Sequence, residues 1–288
     1  MIRALSLLIL LAACARGPDT VPPPAPDVLR VATYNVHYIS LNGEGDWSVA
    51  DWETRKGPMD QAVKALNADV IAFQEMESFG RGADPNVNLT KDWLLQQNPD
   101  LAEAAVGDAR EFPSTQPIFY RPDRLRLLDQ GWYFFSTTPD VIYSRSFDGS
   151  YPAFASWARF QDLRDGTNVH VTNIHTDAFS AENRTGAMDL VAERMAPIIA
   201  SDDVAILAGD LNGTVGMYPV RRMQNAGLTF AGVKGSTYHF DRGLNIFGAI
   251  DHIAYDGARQ QGEPIVVRRQ FGGEWPTDHY PVIVDLDY

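Results

Sequence analysis

The sequence predicts an α/β fold in which two mixed β-sheets pack face to face with helices outside, a four-layer α/β/β/α sandwich. Three observations predict it. Short apolar runs, Asp69 to Phe73 and Val204 to Ala208, read as strands buried on both faces, each preceded by a helical stretch. Alternating segments separated by turn residues lie between these crossover units and indicate antiparallel pairing. From Val28 to Tyr288 there is no composition break, repeat or low-complexity run, so residues 28–288 read as one large domain.

The chain start is different in kind. Met1 to Ala13 carries Arg3, then the apolar stretch Leu5 to Leu11, then small residues. That stretch is about half of what spans a bilayer, so residues 1–13 read as a secretory signal peptide. Leu11-Ala12-Ala13-Cys14 resembles the lipobox of bacterial lipoproteins, in which the cysteine is lipidated and becomes the new N-terminus. Cys14 is the only cysteine, so no intrachain disulfide can form and a lipid anchor accounts for it. An ordinary signal peptide cleaved nearby is the alternative. Residues 14–27, with Pro18, Pro22, Pro23, Pro24 and Pro26, read as an extended tether. By analogy with lipoproteins, Ala15 in place of an aspartate favours the outer membrane, and hence an envelope location facing the periplasm or the exterior.

Leu29 to Tyr34 alternates and predicts a first strand with Asn35 at its C-terminal end. After a loop with Gly43, Gly45 and Asp46, Trp52 to Leu66 places Met59, Ala62, Val63 and Leu66 at helical spacing. Asp69 to Phe73 then delivers Gln74 and Glu75. Strand–helix–strand is a crossover, so Asn35 and Glu75 are expected at one sheet edge. Residues 78–116 read as a long loop holding a short helix, Lys91 to Gln97, and as a place where specificity is set. Ile118 to Tyr120, Leu125 to Leu128 and Trp132 to Phe135 read as a local antiparallel meander. A loop around Ser144 to Tyr151 follows.

Ser156 to Phe160 and Asn168 to Ile174 are strands joined through Asp165-Gly166, with Asn173 and His175 on one face and His170 on the other. Glu182 to Ile199 is a helix whose apolar stripe includes Met188, Val191 and Met195. The strand at Val204 to Ala208 stops at Gly209, and strand alternation is expected to send Asp210 and Asn212 to the same side. Met217 to Ala226 is a short helix ended by Gly227. Strands at Thr237 to Phe240, Ala249 to Tyr255, Ile265 to Arg269 and Val282 to Leu286 complete the chain.

With 24 Lys and Arg against 37 Asp and Glu, the formal charge is −13 and the basic residues are scattered. A protein gripping duplex DNA concentrates positive charge in a stripe, so tight duplex binding is not expected. A phosphate-bearing substrate stays open, because a bound cation inverts the local field. There are no heptads and no helical dimerisation seam, and the oligomeric state stays open.

Six short segments place polar residues at strand ends: Thr33-Tyr34-Asn35, Phe73-Gln74-Glu75, Asn173-Ile174-His175, Gly209-Asp210-Leu211-Asn212, Ile250-Asp251-His252 and Thr277-Asp278-His279-Tyr280-Pro281. In order and residue type they resemble the endonuclease/exonuclease/phosphatase superfamily of metal-dependent phosphoesterases. Phe119-Tyr120-Arg121 and Ser156-Trp157-Ala158-Arg159-Phe160 add secondary matches. The resemblance implies that Asn35 and Glu75 bind metal, with Asp278 a further or water-mediated ligand. These are hard oxygen donors, so magnesium, or manganese as its substitute, is the expected ion. It further implies that Asp210 positions and deprotonates the attacking water, that Asn212 holds a phosphoryl oxygen, and that Asp251 orients His279. His175 is implied at the leaving oxygen. Either Asp210 or His279 can be the base on this reading. His37 is site-adjacent, His239 and His252 are structural or functional, and Arg159 forms a salt bridge or touches phosphate. Thr277 replaces the serine common before the Asp-His pair and keeps its hydroxyl.

The function implied is hydrolysis of a phosphate ester, by a phosphodiesterase or phosphatase acting on small or short substrates. An extracytoplasmic nuclease is the alternative enzyme. A non-catalytic binding lipoprotein on the same fold is the alternative of another class, and the complete set of catalytic residue types speaks against it.

Overall fold

Strand β1 (Leu29–Asn35) is buried along its whole length, and so are β3 (Val70–Gln74) and β10 (Val204–Asp210), because each lies inside a sheet covered on both faces. The computed structural model describes residues 20–288. The predicted signal peptide and Cys14 lie outside the described residues. Of the predicted tether, Val21 packs against the domain and the Pro22 carbonyl accepts a hydrogen bond from Arg30 Nη1. Among the described residues no helix is long and apolar enough to cross a membrane.

In chain order the remaining elements are β2 (Ile39–Ser40), α1 (Val49–Leu66), β4 (Ser78–Phe79), α2 (Leu89–Gln97), β5 (Ala102–Ala104), β6 (Ile118–Tyr120) and β7 (Leu125–Phe134). They continue with β8 (Phe154–Asp162), β9 (Asn168–His175), α3 (Ala181–Ile199), α4 (Tyr218–Asn225), β11 (Thr229–Phe230), β12 (Asp251–Asp256), β13 (Arg259–Val266) and β14 (Val282–Asp287). One six-stranded sheet has the order β13-β14-β1-β3-β6-β5 and the other β11-β12-β10-β9-β8-β7. Their inner faces share one core, with Val31, Val70 and Ile118 on one side and Val171, Ile206 and Ile253 on the other. Helices α1 and α2 cover the outer face of the first sheet through Trp52, Met59, Val63 and Leu94. Helices α3 and α4 cover the second through Met188, Val191, Met195 and Val220. The four predicted layers are present.

Several sequence expectations are corrected. The predicted meander does not exist: β6 pairs with β3 and β5 in the first sheet, whereas β7 pairs with β8 in the second. Ile118 and Phe119 bury opposite faces of β6, which suits an interior strand, while the half-exposed β7 suits an edge. The two predicted strands at 125–128 and 132–135 are one strand with a bulge between Leu127 and Asp129. Segment 78–116 holds, besides the expected helix (α2), the short strands β4 and β5. Thr237 to Phe240 is not a strand. Phe240 and Asp241 take left-handed backbone angles, and only a bridge from Tyr238 to His279 remains. Strand β13 begins at Arg259 rather than at Ile265 and ends at Val266, with a register shift between Gln261 and Ile265. Arg159 lies on the outer face of its sheet, bound to Asp203 at 2.6 Å, so it takes the salt-bridge role and not the phosphate one.

His170 shares that outer face, stacked on Trp157 with ring centroids 5.2 Å apart. Burial pushes its imidazole down to about 4. The unfolded chain therefore takes up the proton first, and stability falls as pH drops from about 6.5 toward 4. His170→Phe keeps the stacked ring and removes this penalty. Urea unfolding at pH 4.5 is expected to show the variant more stable than wild type by about 2 kcal/mol, and no such gain at pH 7. An equal change at both pH values would refute the linkage.

Candidate active site

Sheet topology brings the six polar segments to one edge. β1 and β3 run parallel, with Asn35 opposite Gln74, and β9 and β10 run parallel, with His175 opposite Asp210. β12 is antiparallel to β10, so its first residue, Asp251, sits opposite Asp210. β14 is antiparallel to β1, so the segment entering it carries Asp278 and His279 to the same edge. Gly209 makes the close approach of β9 and β10 possible. Its φ is 146°, and a Cβ there would lie 1.9 Å from the Ile174 carbonyl oxygen.

Asp210 stands at the centre and is 2% exposed. Its Oδ2 lies 3.3 Å from Asn35 Nδ2, 3.7 Å from His175 Nε2 and 3.9 Å from His279 Nε2. Its Oδ1 accepts the Asn212 backbone N–H at 2.8 Å. Burial, followed by repulsion from Asp251, pushes the Asp210 carboxyl above its usual range against the pull of His279 and His175. His279 Nδ1 is 2.9 Å from Asp251 Oδ2. Burial alone would lower this imidazole, but the Asp251 and Asp210 carboxylates outweigh it and raise it to about 10. The two carboxylates thus favour the protonated ring.

On the other side of Asp210, Asn35 Nδ2 also donates to Glu75 Oε1 at 2.9 Å, and His175 Nε2 lies 3.7 Å from the same oxygen. Burial would raise Glu75, but His175, His37 and the Asn35 amide hold its carboxyl below the usual range. Glu75 sits at φ 54°, the left-handed region that non-glycine residues seldom adopt and that concentrates at functional sites. Thr277 donates to the Asn35 carbonyl and to Asp278 Oδ1, both at 3.2 Å.

The sequence-predicted residues thus converge, with one geometric correction. Strand alternation ends at Asp210, because Asn212 has φ 42° and its side chain donates to the Thr176 carbonyl at 2.8 Å. It is held beside Asp210 by a tight turn and not by the pleat. Asn173 shares a strand face with His175 but serves as a clamp between the sheets. Its amide donates to the Phe73 carbonyl at 2.7 Å and its oxygen accepts from Gln74 at 2.7 Å. His37 stacks on Trp47, His239 stacks on Tyr280, and His252 meets the Gly213 carbonyl at 2.9 Å, so all three support the site from behind or beside it.

Two residues that hold the site segments were given no such role by the sequence, although Arg55-Lys56, with Trp52, is one of the secondary matches of the family resemblance. Thr237 Oγ1 accepts the backbone N–H groups of Ile250 and Asp251, both at 3.0 Å, and so fixes the start of β12. Arg55, buried on α1, donates to the Pro276 carbonyl at 3.0 Å and anchors the Asp278-His279 segment. A threonine in a predicted strand carries no local signal of such a role, and the match at Arg55 did not say what it would hold.

Two donor groups bear on a metal. Asp210, Asp251 and His279 bring ligand atoms within 4.8 Å of one another, a possible metal-binding triad. Its His279 Nε2 lies 3.9 Å from Asp210 Oδ2, so this group offers one nitrogen and two carboxylates. Glu75 and Asp210 converge on the Asn35 amide with Asp278 near the same β1 end, an oxygen-rich set that attracts a hard divalent cation.

Comparison with known proteins agrees with this geometry. The model of the Endonuclease/Exonuclease/phosphatase family matches residues 32–279. An endonuclease/exonuclease/phosphatase family protein from Bacteroides thetaiotaomicron superposes with a TM-score of 0.75 at 25% identity, covering 91% of this chain and 98% of its own. The mannosyl-6-phosphatase Bt3783 of Bacteroides thetaiotaomicron gives 0.74 at 24% identity, covering 90% of this chain and 100% of its own. The human Nocturnin catalytic domain gives 0.61 at 14% identity, covering 91% and 93%. No curated protein sequence matches the chain.

Proposed function

The chain belongs to the endonuclease/exonuclease/phosphatase family, hydrolases of ester bonds, and on that premise we propose that it is a divalent-metal-dependent phosphoesterase acting on small or short phosphate esters. The observation that carries this reading is the placement of Asp210 among Asn35, His175 and His279, all within 4 Å of one carboxylate oxygen. Asp210 takes the proton of the attacking water, since its raised carboxyl is a stronger base than an ordinary one. His279, whose protonated form the Asp251 and Asp210 carboxylates favour, is assigned the other role. Held by Asp251, it donates Nε2–H to a phosphoryl oxygen whose charge grows in the transition state. The second N–H of the Asn212 amide serves the same oxygen, and His175 serves the leaving one. Glu75 with Asn35 and Asp278 would hold magnesium, or manganese in its place, whose chemistry is to neutralise phosphoryl charge.

A chain of formal charge −13 is poorly matched to duplex nucleic acid, which favours a small soluble ester. Lipidated at Cys14, the enzyme would work from the cell envelope, most plainly the outer membrane. The test is an assay with magnesium on bis-p-nitrophenyl phosphate, p-nitrophenyl phosphate and single-stranded DNA, with EDTA as control. Diester or monoester turnover abolished by EDTA supports the reading, and DNA as the preferred substrate replaces it with the nuclease.

Metal binding has its own expected result. At saturating magnesium the melting temperature should rise by about 5 °C, and Glu75→Gln should remove most of that rise without lowering the metal-free melting temperature. An undiminished shift in the variant would place the ion elsewhere, with the Asp210, Asp251 and His279 triad the next to test.

A further inference from the structure

The loop 144–151 precedes β8 and ends on Tyr151, a residue the mechanism above does not use. The Tyr151 ring stands 6.0 Å from the His175 ring and is tilted 44° to it. The side chain is 36% exposed, and among the described residues its hydroxyl makes no hydrogen bond. Burial, and then the negative charge of Glu75, Asp210, Asp177 and Glu77 around it, push this phenol upward. It therefore stays protonated and has a hydrogen bond to give.

Several contacts fix this loop. Asp177, two residues beyond His175, is fully buried, and its Oδ2 accepts both the backbone N–H and the hydroxyl of Ser150 at 2.6 Å. Its Oδ1 accepts the Phe179 and Ser180 N–H groups at 2.8 and 2.9 Å. One carboxylate thus ties the loop to the end of β9 and the start of α3. Asn183 on α3 donates to the Ser146 carbonyl at 3.2 Å, and Phe147 packs where Gly186 leaves room, since a Cβ there would lie 2.6 Å from its ring. Phe147 and Asp148 hold left-handed backbone angles, φ 56° and 53°. Such a pair of non-glycine residues is strained and persists only where surrounding contacts over-determine it. What these contacts and this strain deliver is a phenol set beside His175.

We propose that Tyr151 is a further catalytic residue, donating its hydroxyl to the leaving oxygen of the ester beside His175, and that Asp177 is the residue that positions it. The inference rests on the phosphoesterase reading and adds to it a group on the leaving side. As water attacks phosphorus and gives its proton to Asp210, the bond from phosphorus to the ester oxygen breaks and its electron pair stays on that oxygen. The phenol hydrogen-bonds the charge growing there and keeps its own proton. The proton that completes the alcohol comes through His175. Help of this kind matters most for a strongly basic leaving group and least for a weakly basic one.

The test measures kcat and KM of the full chain with magnesium on two ester pairs of nearly equal size. These are p-nitrophenyl phosphate against phenyl phosphate, and bis-p-nitrophenyl phosphate against diphenyl phosphate. p-Nitrophenolate leaves readily and phenolate does not. Tyr151→Phe is expected to lower kcat about thirtyfold on the phenyl ester and no more than about threefold on the p-nitrophenyl ester, with KM and the melting temperature nearly unchanged. Ser150→Ala, which removes one hydrogen bond to Asp177, should show the same bias at about fivefold and cause no further loss when Tyr151→Phe is already present. An equal loss on both esters, or none, removes Tyr151 from the leaving oxygen. A loss from Ser150→Ala that is alike on both esters, or that multiplies with Tyr151→Phe, removes Asp177 from the positioning role. If wild type turns over neither pair, the phosphoesterase reading has failed and the role of Tyr151 falls with it.

Discussion

Asp210→Asn is expected to lower kcat by about a thousandfold or more while raising the stability of the metal-free protein. The two effects have one origin. The carboxylate is 2% exposed, faces Asp251, and is pushed above its usual range, so at neutral pH its charge costs folding free energy. Asparagine keeps the shape and the hydrogen bond from the Asn212 N–H, and relieves that cost. It cannot accept a proton from water. The stability gain is expected at about 1 kcal/mol, read as a higher urea midpoint at pH 7 without magnesium. KM should move little, because the group acts on water and not on the ester's organic half. Activity within tenfold of wild type would remove Asp210 from the role of base.

The legibility of this site in the sequence followed a physical divide. Strand ends delivering Asn35, Glu75, His175, Asp210 and Asp251 could be read because apolar runs stop sharply where polar groups begin, and crossover handedness fixes which ends share an edge. Asp278 and His279 belong to a segment outside any named strand and were placed by motif alone. The orientation of Asn212 was misread because it depends on a left-handed backbone angle, and alternation holds only inside a strand. The false meander failed for a related reason: β6 and β7 are adjacent in sequence, yet the choice of sheet depends on burial on both faces, a property of the whole sandwich. The expected strand Thr237 to Phe240 failed because this segment is a loop shaped by tertiary contacts, such as those of Ser236 with Asn245 and Phe247.

Asp251→Ala is expected to lower kcat/KM by about a hundredfold and to destabilise the fold by about 3 kcal/mol. Asp251 is 1% exposed and is the strongest partner of the buried His279 imidazolium. Without it, burial drives His279 toward the neutral ring, which removes the positive charge aimed at the phosphoryl oxygen and frees the imidazole to take the wrong tautomer. The destabilisation is bounded because His279 can shed its proton rather than remain an unpaired buried cation. Asp251→Asn, which can still accept the Nδ1–H, should fold nearly as well as wild type and lose comparable activity, separating the loss of charge from the loss of packing. If the pair acts as a unit, Asp251→Ala combined with His279→Ala should be no slower than His279→Ala alone. Multiplicative losses in the double variant would mean that Asp251 and His279 serve the reaction separately, and the oriented imidazolium would have to be abandoned.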